Sequence, residues 1–105
     1  MNMTNDNAAV VSRFFAAVDR LIADGVLRGL KTFTDKYGIN RWNFATMKKD
    51  ISRGGNFQPV WLAYLVDDFK VSPHWLLLGV GDFWLSGFDA EIVRKLQKNR
   101  TSKSA

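Results

Sequence analysis

The residue types that most often carry chemistry are scarce in this chain of 105 residues. It has no cysteine and a single histidine, which excludes disulfides, thiolate metal sites and cysteine nucleophiles. His74 stands alone, so we expect it on a helix surface rather than in a metal site. No Ser/His/Asp set and no phosphate-binding glycine loop is present either. We therefore expect no metal, no cofactor and no enzymatic activity.

Long apolar runs and prolines are also few. The longest apolar run is WLLLGV, residues 75–80, whereas a membrane-spanning helix needs about 20 apolar residues. The first residues lack the basic start and the apolar stretch of a signal peptide. With 47% hydrophobic residues, 13% aromatic residues and two prolines, the composition is typical of one globular domain rather than a disordered chain. We expect a soluble, cytoplasmic protein without membrane contact.

Charge is unevenly distributed along the chain, whose net charge is +5. Residues 28–53 hold seven basic and two acidic residues, and residues 94–105 hold five basic and no acidic residues. The rest of the chain holds three basic and eight acidic residues. Such segregation favours an anionic partner such as nucleic acid, although basic surfaces without a binding function are common.

Helical periodicity and capping signals predict an all-α fold. No stretch alternates between apolar and polar residues as a half-buried strand would. Asn40 and Ser72 have side chains that begin helices, and Gly38 and Gly79 tolerate the left-handed backbone at helix ends. The predicted helices cover residues 8–24, 30–37, 41–49, 59–69, 73–78 and 89–99, and residues 52–56 are a predicted loop.

The second and third predicted helices have the pattern of a helix-turn-helix. Gly38 lies in the turn between them, and the small residue Thr34, four positions earlier, is suited to the point where the helices cross. Apolar residues on both sides of the turn are expected to set the angle between the helices. These residues are Phe33, Tyr37, Ile39, Phe44 and Met47.

The remaining positions on the third helix are candidates for DNA contact, because the second helix of such a motif lies in the major groove with its N-terminal residues against base edges. Arg41 matches guanine and Asn43 matches adenine through paired hydrogen bonds, and Thr46 suits a thymine methyl group. Trp42 has two alternatives, packing against the start of the second helix or joining these three in base contact. Four basic residues are expected to contact phosphates: Lys31, Lys48, Lys49 and Arg53.

Two segments of the chain carry a resemblance to a known family. LKTFTDKYGINRWNFATMKK and NFQP, followed by LAYLVDDFKVSPHWLLLGVGDF, resemble the lambda-repressor-like helix-turn-helix family, which includes phage repressors, Cro proteins and xenobiotic-response-element regulators. The second segment is the more specific of the two, since helix-turn-helix spacing alone occurs often by chance. The family usually has alanine in place of Thr34, small or polar residues near Trp42, and threonine and glutamate in place of Leu78 and Val80.

The resemblance implies a compact five-helix bundle over residues 8–81 that binds double-stranded operator DNA in a sequence-specific manner. We expect a small transcriptional regulator, a repressor of phage or mobile-element type, that occupies DNA rather than performing a reaction. The alternative is a protein-interaction module, or an antitoxin-like protein, that has the same fold with little or no DNA binding.

Residues 82–98 carry more apolar surface than a five-helix domain requires. One alternative is that this extension folds back onto its own domain. The other is a dimer interface, because repressors of this family read two half-sites related by a two-fold axis. We therefore predict a homodimer formed through residues 82–98, a palindromic operator, and a disordered basic tail over residues 99–105.

Overall fold

Six α-helices and one short 3₁₀ helix form the part of the chain that the computed structural model describes. This part covers residues 5–103, with the side chains of residues 6–52 and 55–98. The α-helices are α1 (Asn5–Ala23), α2 (Leu30–Tyr37), α3 (Arg41–Lys49), α4 (Val60–Phe69), α5 (Pro73–Leu78) and α6 (Ala90–Lys103). The predicted all-α class is confirmed, since the β-structure among the described residues is limited to one isolated bridge between Val71 and Trp84.

Side-chain caps begin the helices where the sequence predicted them. The side-chain oxygen of Asn40 accepts a hydrogen bond from the backbone N–H of Asn43 at 2.9 Å. The hydroxyl of Ser72 accepts one from the N–H of Trp75 at 3.4 Å. Each cap satisfies one of the N–H groups that the first helical turn leaves unpaired, so the starts of α3 and α5 are set locally.

Left-handed residues end three of the helices. Gly38 ends α2 with φ at 66°, and Gly79 ends α5 with φ at 73°, as predicted. Lys70 ends α4 with φ at 59°, a conformation that costs a non-glycine residue about 1–3 kcal/mol. Its carbonyl accepts a hydrogen bond from the N–H of Leu85 at 2.9 Å, so contacts with a distant segment hold this strained residue in place.

Three predicted boundaries differ from the structure. Helix α1 begins at Asn5, three residues before the predicted start, because nothing in this polar stretch interrupts a helix. The predicted loop at residues 52–56 belongs to the 3₁₀ helix Ile51–Asn56, where the carboxylate of Asp50 accepts a hydrogen bond from the N–H of Ser52 at 3.1 Å. The tail expected to be disordered from residue 99 continues α6 to Lys103, since no glycine or proline stops it. Residues 104–105 lie outside the described residues.

Phe14 on α1 lies at the centre of the core, with none of its surface exposed. Its ring contacts the rings of residues from four other parts of the chain at centroid distances of 5.1–6.0 Å. Four of the five pairs are edge-to-face, and such pairs add about 0.5–1.5 kcal/mol each to the free energy of burial. The aromatic partners are Phe15, Phe33, Phe44, Phe57 and Trp61. Helices α1 to α4 are therefore joined through one aromatic side chain.

The predicted crossing residue Thr34 is wholly buried. Its hydroxyl donates to the carbonyls of Leu30 and Lys31 at 3.2 and 3.1 Å, within its own helix, so burial leaves no polar group unpaired. Its carbonyl accepts hydrogen bonds from the N–H groups of Gly38 and Ile39. Thr34 thus ties the end of α2 to the turn of residues 38–40 that leads into α3.

Residues 82–98 fold back onto the preceding helices, which was one of the two predicted alternatives. Phe83 is 5% exposed and Val93 is completely buried. The guanidinium of Arg94 donates to the carbonyl of Asp24 at 2.7 Å, just past the end of α1. The side-chain amide of Gln97 donates to the carbonyl of Asp68 at 2.6 Å, near the end of α4. Helix α6 thus supplies donors to carbonyls at two helix C-termini, where backbone acceptors lack intrahelical partners.

The left-handed turn at Gly38 leads to a test by substitution. We expect Gly38→Ala to lower the free energy of unfolding by about 1–2 kcal/mol, because a Cβ is strained at this φ. The matched control is Gly29 at the other end of α2, where φ is 177°. At both glycines an added Cβ would meet no atom within 4 Å, so they differ in backbone conformation rather than in space. Gly29→Ala should change the unfolding free energy by no more than about 0.5 kcal/mol, because the weaker preference of alanine for the N-cap position offsets the lower entropy of the unfolded chain. Urea denaturation measures both, and equal effects would contradict the explanation.

Candidate functional site

Helix α3 is attached to the rest of the fold along one side. Phe44 is completely buried and Met47, three positions later, is 2% exposed. The ring of Phe44 lies 5.6 Å from that of Phe33 on α2 and 5.4 Å from that of Trp61 on α4. Because residues three apart lie on the same face of a helix, these two anchors fix the rotation of α3 about its axis and determine which residues face outward.

The side of α3 opposite these anchors forms what we call the outer face: Trp42, Ala45, Thr46 and Lys49. These positions follow the i, i+3, i+4, i+7 spacing of a single helical stripe. Trp42 is 73% exposed, and no ring or cation contact to it is present in the described part of the chain. Of the two alternatives for Trp42, packing against the second helix is therefore wrong. Ala45 and Thr46 are half-buried, and Lys49 is exposed.

Arg41 and Asn43 lie on either side of Trp42 in the first turn of α3, and both are exposed. The backbone N–H of Asn43 donates to the side-chain oxygen of Asn40, whereas the side-chain amide of Asn43 makes no hydrogen bond within the described part of the chain. The structure thus brings together the four residues predicted to contact bases at one end and along one side of α3. Their side chains carry cationic, aromatic, amide and hydroxyl groups.

A groove of about 320 Å³ adjoins this end of α3. It runs between the turn of residues 38–40 and the start of α4, and Asn43 forms part of its wall. Two further amide side chains, Asn56 and Gln58, line the same groove and are exposed. The sequence prediction missed both, although they stand in the NFQP segment that was noted as a family signal. They extend the polar surface beyond α3 itself.

The stacked rings of Tyr37 and Tyr64 form another part of the groove wall, 3.9 Å apart and inclined by 3°. The hydroxyl of Tyr37 donates to the carboxylate of Asp68 on α4. These contacts join the end of α2 to α4 directly beside the turn. One wall of the groove is therefore aromatic and is held between α2 and α4.

The basic residues predicted to contact phosphates have different surroundings. Lys31 pairs with Asp35 at 2.6 Å, and Lys48 pairs with Asp19 on α1 at 3.2 Å. Lys49 has no ion pair within the described part of the chain, and the Arg53 side chain lies outside the described residues. Surface ion pairs of this kind contribute about 0–1 kcal/mol to the free energy of folding. The lysine in such a pair therefore exchanges its carboxylate partner readily for another anion. Lys49 is thus ready to bind an anion, whereas Lys31 and Lys48 must first exchange a carboxylate.

The charge of α3 is of one sign. The helix contains three basic residues and no acidic residue, and its last turn carries both Lys48 and Lys49. A helix with this charge attracts polyanions and other acidic groups from bulk solvent. Among the described residues, no group of three or more His, Cys, Asp or Glu side chains could hold a metal ion, and His74 is exposed on α5.

Comparisons with protein-family models, curated proteins and solved structures give no match to this chain. Within the described residues, no helix is both long enough and apolar enough to cross a membrane.

The exposure of Trp42 predicts how two tryptophan substitutions will differ. Trp42→Phe should change the free energy of unfolding by no more than about 0.5 kcal/mol, because the side chain lies on the surface. It should also remove the part of the fluorescence emission that iodide quenches most strongly. Trp61 is 7% exposed and serves as the control. Trp61→Phe should cost about 1–3 kcal/mol, since it leaves a gap in the core, and should retain the quenchable emission. If Trp42→Phe retained that emission, the orientation of Trp42 would be wrong.

Proposed function

We propose that this protein is a small transcriptional regulator that binds double-stranded DNA sequence-specifically, with α2, the turn and α3 acting as a helix-turn-helix. The observation that carries this proposal is the outer end of α3. There Arg41, Trp42 and Asn43 are exposed together in the first turn of a helix that has no acidic residue. The helix is held by side chains on its opposite face, so these groups project from a rigid support.

The residue types at this end suit the edges of base pairs in the major groove. An arginine side chain donates two hydrogen bonds to guanine, and an asparagine side chain pairs with adenine. Arg41 and Asn43 are assigned these roles, with Thr46 one turn further along the helix. Residues near the N-terminus of a recognition helix come closest to the base edges, and all three of the exposed groups lie in that turn.

The phosphate contacts come from lysines around the same helix. Lys49 is the most available of them, and Lys31 and Lys48 can exchange their carboxylate partners for phosphate oxygens. Each phosphate that a cation neutralises releases counterions from DNA, which makes binding sensitive to salt. Asn56 and Gln58, at the edge of the groove, add uncharged donors that can position the backbone of one strand.

Selection of bound sites from random double-stranded DNA, followed by a salt titration on the selected site, tests the proposal. Contacts of four cations with phosphates predict a slope of about −3 to −4 for log affinity against log salt concentration. A scrambled duplex of the same length is the control for sequence specificity. Failure to enrich any sequence, or an affinity independent of salt, would contradict DNA binding.

Substitutions of Arg41 and Lys49 should weaken binding in different ways. Arg41→Ala is expected to cost about 1–3 kcal/mol and to relax the preference at one base position. Lys49→Ala is expected to weaken all sequences alike and to reduce the salt slope by about 1. Equilibrium binding to the selected site and to its single-base variants measures both effects.

Lys48→Ala is the matched control for Lys49→Ala, because the two lysines are neighbours and Lys48 is paired with Asp19. We expect a smaller loss for Lys48→Ala, since that lysine must give up its carboxylate partner before it binds phosphate. Loss of preference at the same base position by all three variants would contradict the division into base-contacting and phosphate-contacting residues.

A second candidate function is binding to another protein, as an antitoxin-like module would do. Exposed apolar side chains at and beyond the end of α5 favour it: Leu77 is 48% exposed, Leu78 is 63% exposed and Val80 is 52% exposed. The predicted homodimer through residues 82–98 has less apolar surface than the sequence indicated, because Phe83 and Val93 are buried in their own domain. The homodimer stays a proposal, and a palindrome among the selected DNA sites would support it.

A further inference from the structure

Trp42 is the most exposed large apolar side chain among the described residues, at 73%. The other tryptophans differ from it. Trp61 is buried, and Trp75 and Trp84 are half-buried and pack against the core. Burial of an indole against a partner stabilises the complex, because the indole has a large apolar area. Trp42 is exposed in the free protein, so this stabilisation is available when a ligand binds.

The surroundings of Trp42 indicate what kind of ligand this is. Its neighbours on the outer face, Ala45 and Thr46, have small side chains and are half-buried, so the indole projects beyond them. Arg41 and Asn43 flank it with polar groups. Protein interfaces have a contiguous apolar core around their aromatic anchors, and the outer face of α3 lacks one. The partner therefore presents an isolated apolar group within a polar, anionic setting.

The floor of the DNA major groove matches this description. Its base edges carry hydrogen-bond donors and acceptors, and the apolar group among them is the C5-methyl of thymine. Trp42 lies in the first turn of α3, the part of a recognition helix that comes nearest to base edges. We infer, building on the proposed DNA binding, that Trp42 packs its indole against the C5-methyl group of a thymine and thereby selects a T·A pair at that position.

This assignment gives Trp42 a role that Arg41 and Asn43, which contact bases through hydrogen bonds, do not fill. Uracil pairs with adenine as thymine does and differs by the missing methyl group. A methyl group moved from water to an apolar contact changes affinity by about three- to five-fold. The protein should therefore distinguish deoxyuridine from thymidine at one position of its site, without any change in hydrogen bonding.

The experiment uses the full-length chain and a site selected from random DNA. Each thymidine of the site is replaced in turn by deoxyuridine, and affinity is measured by fluorescence anisotropy of a labelled duplex. We expect one replacement to weaken binding about three- to five-fold. Trp42→Ala should bind the thymidine and deoxyuridine duplexes equally. Trp42→Phe, which keeps an aromatic ring, should still prefer thymidine.

A second arm adds a methyl group instead of removing one. The same T·A pair is replaced by C·G, and then by the 5-methylcytosine pair, which carries a methyl group at the same place in the groove. Methylation of that cytosine should raise the affinity of the unsubstituted protein about three- to five-fold and leave that of Trp42→Ala unchanged. Because Trp42 is exposed, both variants are expected to fold, which circular dichroism checks.

The outcomes separate this inference from the proposed function. If the protein binds its selected site but ignores every thymidine replacement, DNA binding stands and the role of Trp42 is overturned. If Trp42→Ala keeps the preference for thymidine, another residue contacts the methyl group and the inference is equally overturned. If no DNA site is selected at all, the proposed function itself fails, and the inference fails with it.

Discussion

The contact of Phe44 with the aromatic core is the constraint on which the site depends. Phe44 is completely buried and touches rings from α1, α2 and α4. These contacts with three helices fix the rotation of α3 about its axis. The orientation of every other residue on the helix follows from this one, because helical periodicity places Trp42 and Lys49 on the opposite side. A ligand that docks on this face therefore meets side chains whose backbone is already ordered, which lowers the entropic cost of binding.

Electrostatics around α3 depend on acidic residues from other helices as well as on its own cations. Asp19 on α1 neutralises Lys48, and Asp35 on α2 neutralises Lys31. These exposed pairs are weak, so they limit the positive potential of the free protein without blocking phosphate contacts. In the proposed DNA complex, the carboxylates of Asp19 and Asp35 stay near the interface. They repel the DNA phosphates unless the lysines lie between the carboxylates and the phosphates. The same arrangement favours a site where phosphates approach from the side of Lys49.

The local features of the fold could be predicted because they depend on neighbours in sequence. Asn40 caps α3 and Gly38 ends α2 through contacts within a few residues. Features set by distant contacts could not be predicted. The Lys48–Asp19 pair joins residues far apart in the chain, and the docking of α6 depends on carbonyls of Asp24 and Asp68 that are exposed only once α1 and α4 end there. Trp42 was ambiguous for the same reason, since an aromatic residue next to a turn suits either a core or a surface until the rotation of α3 is known.

Phe44 and Met47, which hold α3, lie on the opposite side of the helix from Trp42, and this separation has a consequence for substitutions on the exposed side. Phe44 and Met47 hold the helix, whereas Arg41 and Trp42 make no contribution to the buried core. Substitutions at the exposed positions change the chemistry of this face at little cost in folding free energy, because surface changes usually cost no more than about 0.5 kcal/mol. An exposed indole can therefore replace a small or polar residue on this fold without disturbing it. Packing within the chain does not explain the bulky Trp42, because 73% of its surface is exposed.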